Sequence, residues 1–278
     1  MTQEFIFVND RLVPVGEARV SVNDRGLLYG DGFFETMRAA AGRVLFLKEH
    51  LARLQASCQQ FRIRWPSEFP WDTYLQNLLG RNGLKASVAV VKILVTRGTV
   101  AGLGLPAGDK PTIIIYARPY DPPPAVEYQQ GWPVVIFPEP RASFLGRHKS
   151  LNYLFCLAAR QYALDQKARE ALILEPDGNI SEGAATGLIF TEAGNYFTPE
   201  AASALPSITV AMLGRALRRR GHSLLAVPTS AARLTQSQGV WLANSLMGLL
   251  PVATLDRCNL PLSDLTEFLN QCLWSEAG

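Results

Sequence analysis

Cysteine is scarce in this 278-residue chain: four residues, at positions 58, 156, 258 and 272. None forms a CxxC pair, and no histidine stands near them at zinc spacing. That excludes a disulfide framework and a zinc site, and it leads us to expect reduced core thiols in a cytoplasmic protein. Excess charge is lacking as well. A net charge of +3 is too small for a nucleic-acid footprint, and Arg218-Arg219-Arg220 reads as the solvated last turn of a helix, where cations suit the dipole. No apolar run approaches the ~20 residues that cross a bilayer. The opening MTQEFIFVNDRL lacks the basic-then-apolar order of a secretory leader, which again leads us to expect a cytoplasmic location. The most informative shortage is lysine, with six residues beside twenty-one arginines. Arginine cannot form an imine, so any such chemistry falls to Lys48, Lys85, Lys92, Lys110, Lys149 or Lys167.

What is present is ordinary for a soluble globular protein: 48% hydrophobic and 18% charged residues. FIFVN and RLVPV around Asn9-Asp10, and FFETMRA and RVLFL around Ala41-Gly42, read as hairpins. From Leu47, apolar residues recur at helical spacing through Leu51, Leu54, Cys58 and Phe61. ASVAVVKILVTRG and TIIIYARPY are expected as strands. The three prolines of RPYDPPPAVEYQQG cannot sit inside a helix or a central strand. This stretch divides the chain into an N-terminal domain (1–121), a linker (122–131) and a C-terminal domain (132–278). In the second half, WPVVIF, ALILE, GLIF and GVWLAN read as strands. Helices are expected from about Ser150 to Ala163, over SITVAMLGRALRR and over LSDLTEFLNQCLW. The mixture predicts an α+β protein of two α/β domains, an arrangement that favours a ligand site in the cleft between them.

Phosphate-binding motifs fail on spacing. Around Lys149 of FLGRHKSLNYL (144–154), His148 and, just ahead of the segment, Ser143 stand where a phosphate loop needs glycines. GLGLPAG (102–108) lacks the third glycine of a dinucleotide fingerprint and does not run into a helix. Among the lysines, Lys48 and Lys167 belong to polar helix faces or ends, and Lys85 and Lys110 to turns. Lys92 lies inside an apolar strand, where it either faces outward or serves a site. Lys149 lies at a strand-to-helix junction, as a helix-start residue or as a covalent one. LPSIT (205–209) offers a Ser N-cap and free amides at a helix start, an anion site or only a cap. Glu182, at the edge of a strand in ISEGAATGLIF, is either solvated or an acidic partner for a ring nitrogen.

Six segments resolve these alternatives together: DRGLLYGDGFFETMRA (24–39), KEHLARL (48–54), HKSLNYL (148–154), ISEGAATGLIF (180–190), LPSIT (205–209) and ANSLMGLLPV (243–252). Their order resembles that of the class IV, or fold type IV, pyridoxal-phosphate enzymes over nearly the whole chain. That family holds branched-chain aminotransferases, D-amino-acid aminotransferases and aminodeoxychorismate lyases. The resemblance implies a homodimer with pyridoxal 5'-phosphate in the interdomain cleft. It implies Lys149 as the Schiff-base lysine and general base, and Glu182 as partner of the pyridine nitrogen. Arg53, the amides of Ile208 and Thr209, the Thr209 hydroxyl and Ser245 are implied as the phosphate site.

Within the family, the residues that hold a D-amino-acid carboxylate are replaced by Phe34, Gly102 and Gly104. Thr36 and Asn244-Ser245 depart from the branched-chain pattern. The resemblance is nearer to aminodeoxychorismate lyase, which forms 4-aminobenzoate and pyruvate for folate biosynthesis. It implies Thr36 as an aid to protonation of the leaving fragment, and Lys92 and Asn244 as substrate-binding residues. NSLMGLLPV matches the lyase pattern in the last motif, but the lyase arginine a few residues beyond Arg97 is missing. The alternative is an aminotransferase for branched-chain or related amino acids with 2-oxoglutarate as acceptor.

Overall fold

The computed structural model describes residues 4–277. The chain forms two units, one of residues 1–121 with 149–152, the other of 122–148 with 153–278. As expected, both mix strands and helices.

Unit 1 contains β1 (Phe5–Val8), β2 (Arg11–Pro14), α1 (Arg25–Tyr29), β3 (Gly32–Ala40), β4 (Arg43–Val44), α2 (Leu47–Gln60), α3 (Trp71–Arg81), β5 (Ala89–Thr96) and β6 (Thr112–Pro119). The strands form an antiparallel sheet in the order β2-β1-β6-β5-β3-β4. Side chains alternate across it, as the pleat requires. Phe33, Met37, Val91, Ile93, Val95, Ile113 and Ile115 fill one face, where Leu54 and Cys58 of α2 and Leu75, Leu78 and Leu79 of α3 pack on them. The opposite face carries Phe34, Thr36, Lys92 and Leu94.

The expected second hairpin is cut short. β4 is only two residues long because Phe46 takes a left-handed conformation (φ 55°) and starts α2 at Leu47. Lys149 also departs from expectation, clustering with unit 1 and not with the C-terminal domain. Its segment runs along β3: Phe34 N donates to Lys149 O (2.8 Å), Leu151 N donates to Gly32 O (3.0 Å), and Phe33 bridges Ser150. Asn152 Nδ2 donates to Gly30 O (3.0 Å). Gly30, at φ 65°, would place a Cβ 2.7 Å from the Asn152 side chain, so glycine is required there. This pairing delays the following helix, expected near Ser150, to Leu154.

Unit 2 contains α4 (Ala125–Gln130), β7 (Trp132–Ile136), α5 (Leu154–Asp165), β8 (Glu170–Leu174), β9 (Ile180–Gly183), β10 (Gly187–Glu192), β11 (Asn195–Pro199), α6 (Ile208–Arg219), β12 (Leu224–Val227), α7 (Ala231–Thr235), β13 (Gly239–Asn244), β14 (Gly248–Leu255), β15 (Cys258–Asn259) and α8 (Leu265–Ser275). The strands form a mixed sheet in the order β12-β11-β10-β13-β14-β7-β8-β9, with β15 on β14. Leu188, Phe190, Leu242, Leu250, Val134 and Leu172 pack into one core cluster. The expected linker is part of this unit: residues 125–130 are α4, and Tyr128 Oη donates to Met247 O (2.7 Å). The prolines sit ahead of the helix, where no amide hydrogen is needed. All four cysteines are free; Cys58 and Cys272 are buried, Cys156 is half-buried, and Cys258 is exposed rather than in the core. Among the described residues, no helix is long and apolar enough to cross a membrane.

Candidate active site

In unit 1 the site grows out of strand alternation. Phe34 and Thr36 share a face of β3, and Lys92 of β5 stands directly opposite Thr36 in the ladder. Lys92 Nζ lies 4.3 Å from the centre of the Phe34 ring, and Lys149 Nζ lies 4.8 Å from the same centre. The strand register and the paired segment of Lys149 thus bring two ammonium groups to one aromatic ring, with Thr36 across the ladder from Lys92. Both lysines and Thr36 are half-buried, while Phe34 is buried. Burial pushes the Lys92 ammonium below its ordinary pKa, because the charged form loses hydration.

The reverse face of β3 carries a group that the sequence did not disclose. Glu35 is buried under α2, where Arg53 donates to it through Nε (2.7 Å) and Nη2 (2.6 Å). His50 Nδ1 meets its second oxygen at 2.7 Å. Burial alone would raise the Glu35 pKa, but the Arg53 charge and the hydrogen bonds from His50 and Arg53 hold it at about 2. His50 is pushed below its ordinary value, chiefly by burial, with the Arg53 and Lys149 charges adding to the effect. Arg53, the expected phosphate ligand, therefore has two of its five N–H donors committed to Glu35 and a fixed orientation.

The stretch after β5 is closed by arginines. Arg25 donates to Asp31 (2.7 Å) and to the carbonyls of Gly102 (2.6 Å) and Gly104 (2.9 Å). Arg97 is 2% exposed; it donates to both oxygens of Asp31 and to the carbonyls of Phe61, Arg62 and Pro106. Both guanidinium groups hold the loop together.

In unit 2, Glu182 lies on β9. Arg141 Nη2 donates to Oε1, and Leu205 N donates to Oε2 (3.2 Å). Arg141 Nη2 also donates to Ser203 O (2.8 Å), and Cys156 Sγ lies 3.9 Å from Nη1. Farther along the same loop, Ser207 caps α6 by accepting from Val210 N (3.3 Å), as LPSIT predicts. Ile208 and Thr209 form the first turn, and Thr209 Oγ1 lies 3.4 Å from Ser245 Oγ. A helix start with two converging hydroxyls is suited to an anion. Tyr153 Oη donates to Ala184 O (3.1 Å), and its phenol is pushed well up, first by burial and then by neighbouring acids.

Asn244 plays a more structural part than expected. Its Oδ1 accepts from Leu246 N (3.0 Å) and Met247 N (2.9 Å), closing the turn between β13 and β14. Its Nδ2 reaches Ala185 O at 3.5 Å.

Sequence reasoning missed Glu35, His50, Arg141 and Tyr153. The motif HKSLNYL contains Tyr153, and KEHLARL contains His50, so both lie within the family's own segments but carried no assigned role. Arg141, in PEPRASF, carried no local signal.

The profile of the family described as "Amino-transferase class IV" matches residues 32–255. A Methanocaldococcus jannaschii protein, provisionally named branched-chain-amino-acid aminotransferase, is 31% identical over 256 residues, covering 90% of this chain and 88% of that protein. The aminodeoxychorismate lyase of Bacillus subtilis is 26% identical over 258 residues, covering 91% and 87%. The crystal structure of the Escherichia coli branched-chain amino acid aminotransferase superposes with a TM-score of 0.89 at 25% identity, covering 98% of this chain and 94% of that one.

Proposed function

Because the chain belongs to the class IV aminotransferases, a family of pyridoxal-phosphate-dependent enzymes, we propose that it is the lyase that converts 4-amino-4-deoxychorismate to 4-aminobenzoate and pyruvate. The observation that carries this reading is the meeting of Lys149 and Lys92 at the Phe34 ring within unit 1, with Thr36 across the ladder from Lys92.

The residues present fit the cofactor. Lys149 supplies the amine; Glu182, beside a guanidinium, supplies an acceptor for the ring nitrogen. In unit 2 the first turn of α6, with Thr209 and Ser245, would supply phosphate ligands, and in unit 1 Arg53 is the residue that would do so. When bound, pyridoxal phosphate supplies an electron-accepting ring joined to the substrate's amino group.

The protein's share of the work is binding and proton movement. Lys92 holds a substrate carboxylate; next to an aromatic ring and partly desolvated, its charge is felt more strongly than in water. Lys149 Nζ removes the proton from the amine-bearing ring carbon. The bond between the ring and the enolpyruvyl oxygen then breaks, and the carbocycle becomes aromatic. Thr36, across the ladder from Lys92, helps deliver a proton to the departing three-carbon fragment, which leaves as pyruvate. No keto acid is consumed. With Arg25 and Arg97 committed to the loop, the carboxylate is held without the arginine found in other lyases.

The aminotransferase reading rests on a different observation, the 31% identity to the Methanocaldococcus jannaschii protein. The proposal includes a cytoplasmic homodimer. Four free thiols suit a reducing compartment, and the exposed Leu27, Leu28, Tyr29 and Leu103 of unit 1 suit a second copy. The test of the lyase is to supply purified, cofactor-loaded protein with aminodeoxychorismate and no keto acid. Equal amounts of 4-aminobenzoate and pyruvate are expected, and absence of both from a protein that carries the cofactor contradicts the reading.

A further inference from the structure

We propose that Arg141 is a positioning residue: it holds Glu182 as an ionised acceptor and ties it to the loop that leads into the anion-binding start of α6. The inference rests on the cofactor reading above and extends it to a residue outside the six segments that carry the family resemblance.

The geometry is that of a clamp. The Arg141 side chain is 9% exposed, and a single nitrogen, Nη2, donates both to Glu182 Oε1 and to Ser203 O. Two residues on, Leu205 N donates to the other Glu182 oxygen. The loop is fixed from a third direction, because Ser203 Oγ (2.6 Å) and Ser203 N (3.1 Å) both donate to Glu175 Oε1. Ser181, the neighbour of Glu182 on β9, donates to that same oxygen (2.8 Å). Ser207, the cap of α6, follows four residues after Ser203. One buried framework therefore sets both the acceptor carboxylate and the approach to the anion site.

The packing around Arg141 leaves little slack. A Cβ on Gly146 would lie 1.9 Å from Ser203 O and 2.9 Å from Arg141 Nε. Arg141 Nε is buried and has no hydrogen-bond partner among the described residues. A buried ion pair is a weak source of net stability, and an unsatisfied N–H adds a cost. Stability alone is thus a poor reason for an arginine here. A fixed positive charge keeps Glu182 ionised, and an ionised carboxylate only accepts hydrogen bonds. A ring nitrogen that meets it must bring the proton.

Among the described residues, the titratable groups around the pair include Tyr153, Cys156, Glu170 with its partner Arg160, and Glu175. A double-mutant cycle separates their influence from that of Arg141. The proteins are the wild type, Arg141→Met, Arg141→Lys, Glu182→Gln and the Arg141→Met/Glu182→Gln pair. Each is loaded with pyridoxal phosphate and measured for equilibrium affinity, for the pH midpoint of the bound chromophore's absorbance, and for thermal unfolding without cofactor.

Arg141→Met should weaken affinity about tenfold or more and move the midpoint by about one pH unit. Arg141→Lys should recover most of the midpoint, because it restores the charge, but less of the affinity. In the Glu182→Gln background, Arg141→Met should add no further shift. A folded Arg141→Met protein with wild-type affinity and midpoint overturns the inference. So does a shift of equal size in the Glu182→Gln background, or a fall in thermal stability with the midpoint unmoved. A wild-type protein that takes up no pyridoxal phosphate overturns the cofactor reading itself, which distinguishes the two failures.

Discussion

Glu35 in unit 1 and Glu182 in unit 2 are both paired with an arginine, yet their surroundings suit them to different work. The Glu35 side chain is 1% exposed, and its two oxygens are occupied by Arg53 and His50. The Glu182 side chain is 12% exposed, and it rests against Arg141 and a backbone amide. A sealed carboxylate acts only on what already touches it, so Glu35 orients Arg53. A carboxylate with an edge open to solvent, kept ionised by a neighbouring arginine, can receive a donor from a bound molecule. The same pair of side chains thus serves as scaffold in one unit and, on the proposed reading, as part of the reacting site in the other. What separates them is how fully the carboxylate is sealed, 1% exposed for Glu35 against 12% for Glu182.

The largest expected effect bears on Lys149, the amine of the proposed site. Lys149→Ala should lower kcat/KM at least about 10³-fold. It should also remove the near-visible absorbance that borohydride otherwise bleaches, as steady-state kinetics and a spectrum will show. Glu35→Gln should act on the fold, costing about 3 kcal/mol of unfolding free energy in a denaturant titration, because Arg53, only 14% exposed, loses its counter-charge. Glu182→Gln likewise leaves an arginine, Arg141, without its counter-charge and so should also lower stability; what should set it apart is a fall in kcat of about 10²-fold or more in the folded, loaded protein. If the two variants exchanged these signatures, the distinction between scaffold and site would fail.

Acid sharpens the same contrast. The Glu35 pKa falls from 4.5 unfolded to about 2 folded. Its contribution is complete above pH 4.5 and is lost as pH falls toward 2, about 3 kcal/mol in all. His50, also depressed from 6.5, begins to withdraw stability as pH falls below 6.5, because the folded state resists its protonation. A pH series of unfolding free energies should slope down with acid in the wild type, and the part below pH 4.5 should flatten in Glu35→Gln. The smallest effect expected is that of Lys92→Ala, about a tenfold rise in KM for the carboxylate-bearing substrate with kcat less affected.

These contrasts are only partly legible in the sequence. The alternation of FFETMRA and VVKILV correctly places Thr36 and Lys92 on strands, and the serine of LPSIT caps a helix, because both signals are local. Glu35 sits between two residues of the opposite face, and its partners lie 15 and 18 residues away on α2. No local period announces such a pairing. Arg141 and Glu182 are 41 residues apart, joined only once β9 and the 200–206 loop are folded. Lys149 stands out by its motif, but its place beside β3 depends on contacts more than a hundred residues distant. The short β4 escapes the pattern because the left-handed turn at Phe46, a bulky residue rarely found there, ends the strand where an apolar run would continue it.

The central claim is that the residues around Phe34 serve a lyase. The most direct test compares kcat/KM of one cofactor-loaded preparation on aminodeoxychorismate alone with its kcat/KM on branched-chain amino acids plus 2-oxoglutarate. The account predicts that 4-aminobenzoate formation dominates and weakens in Lys92→Ala. Rapid glutamate formation from branched-chain donors, with no 4-aminobenzoate, would contradict it and make the protein an aminotransferase.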